Sequence, residues 1–151
     1  MGLTVRLEGL DNVMQNLSKE IKAIEGRTIQ GLIDACIIVW RDMEGDVPFD
    51  LGNLRASFFI VTSLGEHAGM EPKDAKMSTE HMVVVSGAKA LTKGGSTPVA
   101  VMGFSANYAV FVHENMEAKF RSGKKPKFFE NALKRNSQKI LKTIAENAEI
   151  K

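Results

Sequence analysis

Between Thr28 and Trp40 the chain repeats apolar residues on a helical period, with Ile29, Leu32, Ile33, Cys36, Ile37, Val39 and Trp40 in one wide stripe. A helix apolar over so much of its circumference is buried on most sides, so the rest of the chain has to pack around it. Asp42, Glu44, Gly45, Asp46 and Pro48 end it. At 151 residues the chain suits one domain, which buries about 68–70% of its unfolded surface and holds such a core without staples. With 44% apolar and 25% charged residues, wholesale disorder is excluded.

The other elements follow from periodicity. Leu3, Val5 and Leu7 alternate with Thr4, Arg6 and Glu8, which predicts a short half-buried strand that Gly9 ends. Val13, Leu17, Ile21 and Ile24 recur at spacings of four, four and three, predicting a first helix capped by Asp11 and broken or bent at Gly26. Residues 57–62, 82–85 and 98–104 are β-branched and aromatic runs and read as strands. Residues 107–114 fit a strand or a short helix, 117–127 a basic loop, and the chain is helical from Pro126, with Phe129, Leu133, Ile140, Leu141 and Ile144 as its stripe. The stretches 64–81 and 86–97 read as arms extending off the sheet. Together these predict one α+β domain over residues 1–151: an antiparallel sheet of about four strands, helices packed on one face, and long hairpin arms.

Chemistry is sparse. One cysteine excludes a disulfide framework, and three histidines leave little for a metal site. Cys36 lies within an apolar helical stripe and reads as a small core residue. His113-Glu114 lacks the second histidine of a zinc-protease helix, and nothing near His67 or His81 completes a metal-ligand spacing. Gly94-Gly95-Ser96-Thr97 fails the spacing of a phosphate loop. Asp42, Glu44, Asp46 and Asp50 fit no EF-hand register and read as solvated charge at a helix end. No catalytic, cofactor-binding or metal-binding residue is expected, and the chain is not expected to be an enzyme. No charged-then-apolar leader opens the sequence and no run approaches 18 apolar residues, so a soluble chain made inside the cell, without a membrane partner, is expected.

Charge is distributed unevenly along a chain of net charge +2. Residues 1–50 carry 5 Lys/Arg against 9 Asp/Glu (−4), residues 51–100 carry 5 against 4 (+1), and residues 101–151 carry 10 against 5 (+5). An acidic first third and a basic last third suit self-assembly through opposite faces, an acidic partner, or two solvated helix faces. The densest basic stretch holds Lys119, Arg121, Lys124, Lys125 and Lys127 with Gly123 and Pro126. It is a candidate for contact with DNA phosphates or an acidic protein surface, without base-specific readout, because only Phe120 interleaves with the cations.

Three segments in order carry a resemblance. Pro48-Phe49-Asp50-Leu51-Gly52-Asn53-Leu54-Arg55-Ala56-Ser57 is similar to a "P-x-D-T-G-N-L-R-x-S" signature, with Leu51 in place of threonine. Asn107-Tyr108-Ala109-Val110-Phe111-Val112-His113-Glu114 is similar to "Y-A-x-x-V-E-x-G", with Asn115 where glycine is common. Lys125-Pro126-Lys127-Phe128-Phe129-Glu130-Asn131-Ala132-Leu133 is similar to the "x-x-P-F-L-x-P-A-L" element that opens a last helix. Over roughly residues 1–145 the chain resembles the small neck proteins of long-tailed double-stranded-DNA bacteriophages, of the tail-completion or tail-terminator type of lambdoid siphophages.

The resemblance implies a non-enzymatic virion protein, assembled in the host cytoplasm, that forms a six-fold or twelve-fold ring at the head–tail joint. Its implied partners are other copies of itself, the tail tube protein, the head-side connector or stopper protein, and the genomic DNA in the channel. A head-closure (stopper or adaptor) ring and a non-specific DNA-binding module are the alternatives. The motif positions carried over are Pro48, Asp50, Gly52, Asn53, Leu54, Arg55, Ser57, Tyr108, Ala109, Glu114, Pro126, Phe128 and Ala132. Leu54, Tyr108, Phe111 and Phe129 are expected to anchor the core, and Arg55 to pair with Glu114.

Overall fold

The helical stripe that dominates the sequence forms part of a single helix, α1 (Leu10–Met43), of 34 residues. The computed structural model describes residues 9–48, 53–69, 75–120 and 123–149. After α1 come the short helix α2 (Asn53–Ala56), strands β1 (Phe58–Thr62) and β2 (Gly65–Gly69), helix α3 (Ala75–Leu91), strand β3 (Ala100–Phe104), helix α4 (Ala109–Glu114) and helix α5 (Phe128–Ala148). The class is α+β with an antiparallel sheet, as the patterning predicts. The strand expected at residues 3–7 lies outside the described residues.

Gly26 does not break α1. A glycine inside a helix costs about 1 kcal/mol, which apolar contacts further along one continuous face readily offset. From Ile29 onward that face is buried, and α5 runs antiparallel along it, so that Arg135 near the start of α5 meets Asp42 near the end of α1. Gly31 permits a close approach of the pair: a Cβ there would stand 2.9 Å from Asn147 Cβ and 3.0 Å from Ile144 Cα.

The sheet order is β2-β1-β3, all antiparallel, with Thr62 and Gly65 closing a two-residue turn. All five residues of β1 are buried, because the central strand is covered on both faces. Phe58 and Ile60 point into the cluster built by Val39 and Met43 of α1 and Phe128 and Ala132 of α5. Phe59 and Val61 point the other way, onto Val85 and Ala88 of α3. The expected one-sided arrangement is therefore corrected, since helices lie on both faces; the described residues form three strands of the antiparallel sheet, roughly the number expected.

The difference is α3. In place of the arms expected at residues 64–81 and 86–97, the described residues of the first hold β2 and the start of α3, and the second holds the end of α3 and a turn. The run Met82-Val83-Val84-Val85, expected as a strand, is helical. His81, Val85, Ala88 and Thr92 are buried at spacings of four, three and four, the period of a helix face, while Val83 is 68% exposed. Tertiary burial of that face outweighs the modest β preference of valine. The ambiguous segment 107–114 resolves as a helix, with Tyr108 at the N-cap of α4. No helix among the described residues is long and apolar enough to cross a membrane.

Candidate functional site

The three segments that carry the resemblance meet at one end of the molecule, around the C-terminus of α1. There Met43 and Val47 are fully buried, and Val47 N–H donates to the Met43 carbonyl at 3.2 Å, closing the helix end. Pro48 follows, half-buried; Asp50 and Gly52 lie outside the described residues. Asn53, Leu54 and Arg55 form α2, with Leu54 buried against the core. Ser57, fully buried, donates its hydroxyl to the Leu54 carbonyl at 2.7 Å, and its own carbonyl accepts from Ser105 N–H at 2.9 Å. That bond ties the first segment to the end of β3, which leads into the second.

Ala109 is buried in the same cluster as Leu54, Phe128 and Ala132, so all three segments share one core. Around it the aromatic rings interlock: Trp40 stacks on Phe58 at 4.1 Å, and Phe104 meets Phe58 at 5.5 Å and Phe128 at 5.6 Å. The His113 ring stands edge-on to Phe128 at 5.0 Å. Lys127 N–H donates to the His113 carbonyl at 2.7 Å, fixing the entry of α5 against α4. Pro126 sits half-buried just before that point. Lys127 itself adopts a left-handed conformation (φ 56°, ψ 25°), which costs a non-glycine residue about 1–2 kcal/mol. Its ammonium bridges Glu114 and Glu130 and offsets part of that cost.

These pairings redraw the electrostatics. Arg55 pairs with Glu44 at the end of α1, and Glu114 pairs with Lys127 and His113, so the expected Arg55–Glu114 pair is not formed. The Lys127 hydrogen bond, with His113 adding to it, holds the Glu114 carboxyl below the usual range, and Glu114 in turn raises Lys127. Arg135 donates to Asp42 at 2.8 Å and Asp46 at 3.1 Å, and its hydrogen bond depresses the Asp42 carboxyl. Part of the acidic first third and part of the basic last third therefore meet inside one subunit.

The basic loop divides along the same lines. Lys124 donates to the Gly45 carbonyl at 2.6 Å, and Lys125 N–H to the Asp46 carbonyl at 3.1 Å, stapling the loop to the end of α1. With Lys127 held in its bridge, the exposed members of the set are Lys119 and Lys125; Arg121 lies outside the described residues. Among the described members, Lys124 and Lys127 are engaged within the subunit.

Between β3, α4 and α5 lies an open apolar groove of about 330 Å³, floored by Phe104 and Phe129 and walled by Val110 and Leu133. Of the expected core anchors, Leu54 is buried and Phe129 packs against the cluster, but Tyr108 is 36% and Phe111 70% exposed. The helical reading of 109–114 explains the correction: the six-residue helix buries Ala109 and turns Val110 and Phe111 outward. Sequence reading also missed the bare half of α1. Leu10, Val13, Met14, Leu17 and Ile21 are each 48–61% exposed, along a part of the helix that neither α5 nor the sheet reaches. Among the described residues no group of His, Cys, Asp and Glu is placed to hold a metal ion. Comparison with protein-family models, curated proteins and solved structures finds no match for this chain.

Proposed function

We propose that this chain is a structural neck protein of a long-tailed phage, assembling as a ring that ends the tail tube and docks it to the head connector. The observation that carries the reading is the convergence of the three resembling segments. They are separated by about fifty residues of intervening chain between the first and second, yet they share one core, and backbone hydrogen bonds from Ser105 to Ser57 and from Lys127 to His113 tie their neighbouring ends together. A signature dispersed in sequence but joined in space fits a common structural unit better than three chance matches.

Two further features support it. The α4–α5 groove and the bare half of α1 are distinct apolar surfaces at opposite ends of the subunit, as a head-to-tail assembly needs. The internal use of Lys124 and Lys127 argues against a dedicated duplex-binding loop, because phosphate neutralisation calls for free cations. The test is electron microscopy of lysates from a phage with a nonsense mutation in this gene. Filled heads lying apart from overlong tails are the expected result. Separated heads with tails of normal length assign the protein to head closure instead, and intact infectious particles refute the neck reading.

A further inference from the structure

We infer that α3 is a lid: it lifts off the sheet as one unit while β1, β3 and the α1–α5 pair stay folded, and so bares the second face of the sheet. Ser78, Thr79, His81, Val83, Val84, Val85 and Ser86 all rank low in helix propensity, and Gly87 ranks lower still. Valine loses side-chain freedom in a helix and packs well in a strand. Residues 82–85 are therefore helical because tertiary contacts hold them so, not by local preference. Those contacts are thin. α3 packs on β1 and β3 through His81, Val85, Ala88 and Thr92, of which two are polar and one is alanine. Val85 thus supplies most of the apolar burial against Phe59 and Val61. Thr92 turns its hydroxyl back to the Lys89 carbonyl at 2.7 Å, within its own helix end. A polar tie to the sheet joins His81 Nδ1 and Ser105 Oγ at 2.6 Å. On the outer side Met82, Val83 and Leu91 are 63%, 68% and 72% exposed, so the helix is held from one side.

The other long helices are held differently. Val39 and Met43 of α1 and Phe128 and Ala132 of α5 share the larger core cluster, and Arg135 bridges from α5 to Asp42 and Asp46. The two clusters have no residue in common: β1 sends Phe58 and Ile60 into the larger and Phe59 and Val61 into the smaller. The smaller can therefore open while the larger stays packed. A unit with few buried apolar contacts opens at a free energy below that of global unfolding. Past the end of α3 the exposed stretch Lys93-Gly94-Gly95, with Gly94 in a left-handed conformation (φ 84°), supplies a hinge that absorbs the backbone change. When α3 lifts, Phe59, Val61 and Val101 lose their cover. The device rests on this packing alone and is independent of the neck reading.

Native-state hydrogen exchange of the full chain tests it, read by mass spectrometry on peptides covering residues 78–91 of α3, 29–43 of α1 and 130–146 of α5. Relative to their intrinsic rates, the α3 amides are expected to exchange about a hundredfold or more faster than those of α1 and α5. Their rates are also expected to depend more weakly on urea below the unfolding transition, because urea sensitivity scales with the surface an opening exposes. Gly31→Ala separates the two openings, since it crowds Ile144 and Asn147 of α5, a contact kept when α3 lifts. Exchange in α1 and α5 is expected to rise about fivefold, the counterpart of about 1 kcal/mol, while exchange in α3 stays unchanged. If α3 follows α1 in rate, in urea slope and in its response to Gly31→Ala, it opens only with the whole molecule and the inference is overturned. Fast exchange at the two ends of α3 with residues 83–87 as slow as α1 is end fraying, and overturns it too. Should Gly31→Ala not fold, the urea slopes of the wild type decide: a shallow slope for α3 supports the lid, and one equal to that of α1 rejects it.

Discussion

Replacing Gly31 by alanine is expected to destabilise the fold although alanine is the better helix former. In an open helix interior the exchange contributes about 1 kcal/mol of stability. At Gly31 the new methyl would stand 2.9 Å from Asn147 Cβ, 3.0 Å from Ile144 Cα and 3.2 Å from the Ile144 carbonyl oxygen. Two of those three atoms belong to the α5 backbone and cannot swing away as a side-chain tip would. To restore ordinary contact the α1–α5 pair has to separate by roughly half an ångström along its whole interface, and overpacking of this kind costs about 1–3 kcal/mol. The net expectation is a loss of about 1 kcal/mol, or a fall in Tm of about 2–4 °C for a chain of this length. Gly87 is the matched control: it too lies inside a helix, but nothing stands within 4 Å of its added methyl, so Gly87→Ala is expected to stabilise by about 0.5–1 kcal/mol. Urea unfolding followed by Trp40 fluorescence reads both, since the ring is stacked on Phe58 in the core. A Gly31→Ala midpoint above wild type at unchanged slope would refute the close-approach reasoning.

Three further outcomes are expected. A double-mutant cycle with Glu44→Gln and Arg55→Gln should yield a coupling of about 0.5–1 kcal/mol for this partly exposed pair, while the same cycle on Arg55 and Glu114 should yield none; the reverse result would restore the pairing read from sequence. Asp42 is held below the usual carboxylate range by Arg135, so its ionised form stabilises the fold above about pH 4 and that stability is lost as pH falls through the lowered folded value. Asp42→Asn should therefore flatten the urea midpoint against pH on the acid side and leave the neutral-to-alkaline limb alone; an unchanged acid slope rejects the assignment. Burial pushes the Cys36 thiol from 9.0 up to about 11, which cuts its thiolate near pH 8 by about a hundredfold, so disulfide-exchange labelling of the native chain should lag the urea-unfolded chain by at least that factor. Equal rates would place Cys36 outside the core.

The sequence was most legible where one face met one period. The wide stripe of Ile29 to Trp40, the β1 run and the last helix each appear where their spacing places them, although Leu133 and Leu141 of the α5 stripe face solvent. It misled where a local preference opposed a tertiary one. Glycine at 26 signals a break, yet a helix extended on both sides absorbs that penalty. Three consecutive valines signal a strand, yet only Val85 of Val83, Val84 and Val85 is buried, and its companions on one face are His81, Ala88 and Thr92. That face mixes polar with small residues, so a search for large apolar residues at helical spacing passes over it, whereas a count of all positions at spacings of four, three and four finds it. The candidate site was legible as segments but not as contacts: nothing in the sequence says that Arg55 turns to Glu44 or that Phe111 faces outward.

The charge asymmetry bears on what drives assembly. Read linearly, an acidic first third and a basic last third look like two complementary faces waiting for a neighbour. In the fold, Asp42 and Asp46 are answered by Arg135, Glu44 by Arg55, Gly45 and Asp46 carbonyls by the Lys124–Lys125 staple, and Glu114 by Lys127, all within one subunit. The N-terminal half of α1 and the α4–α5 groove stay exposed as apolar surface. The two driving forces respond oppositely to salt: the screening length falls from about 10 Å at 0.1 M to about 3 Å at 1 M, which dissolves an assembly held by surface charge. Apolar burial is left intact, and sulfate strengthens it. Self-association measured by sedimentation is thus expected to persist from low to molar sodium chloride and to tighten in sodium sulfate. Oligomers that fall apart as salt rises would return the charged thirds to the interface and demand that the internal pairs above exchange partners on assembly.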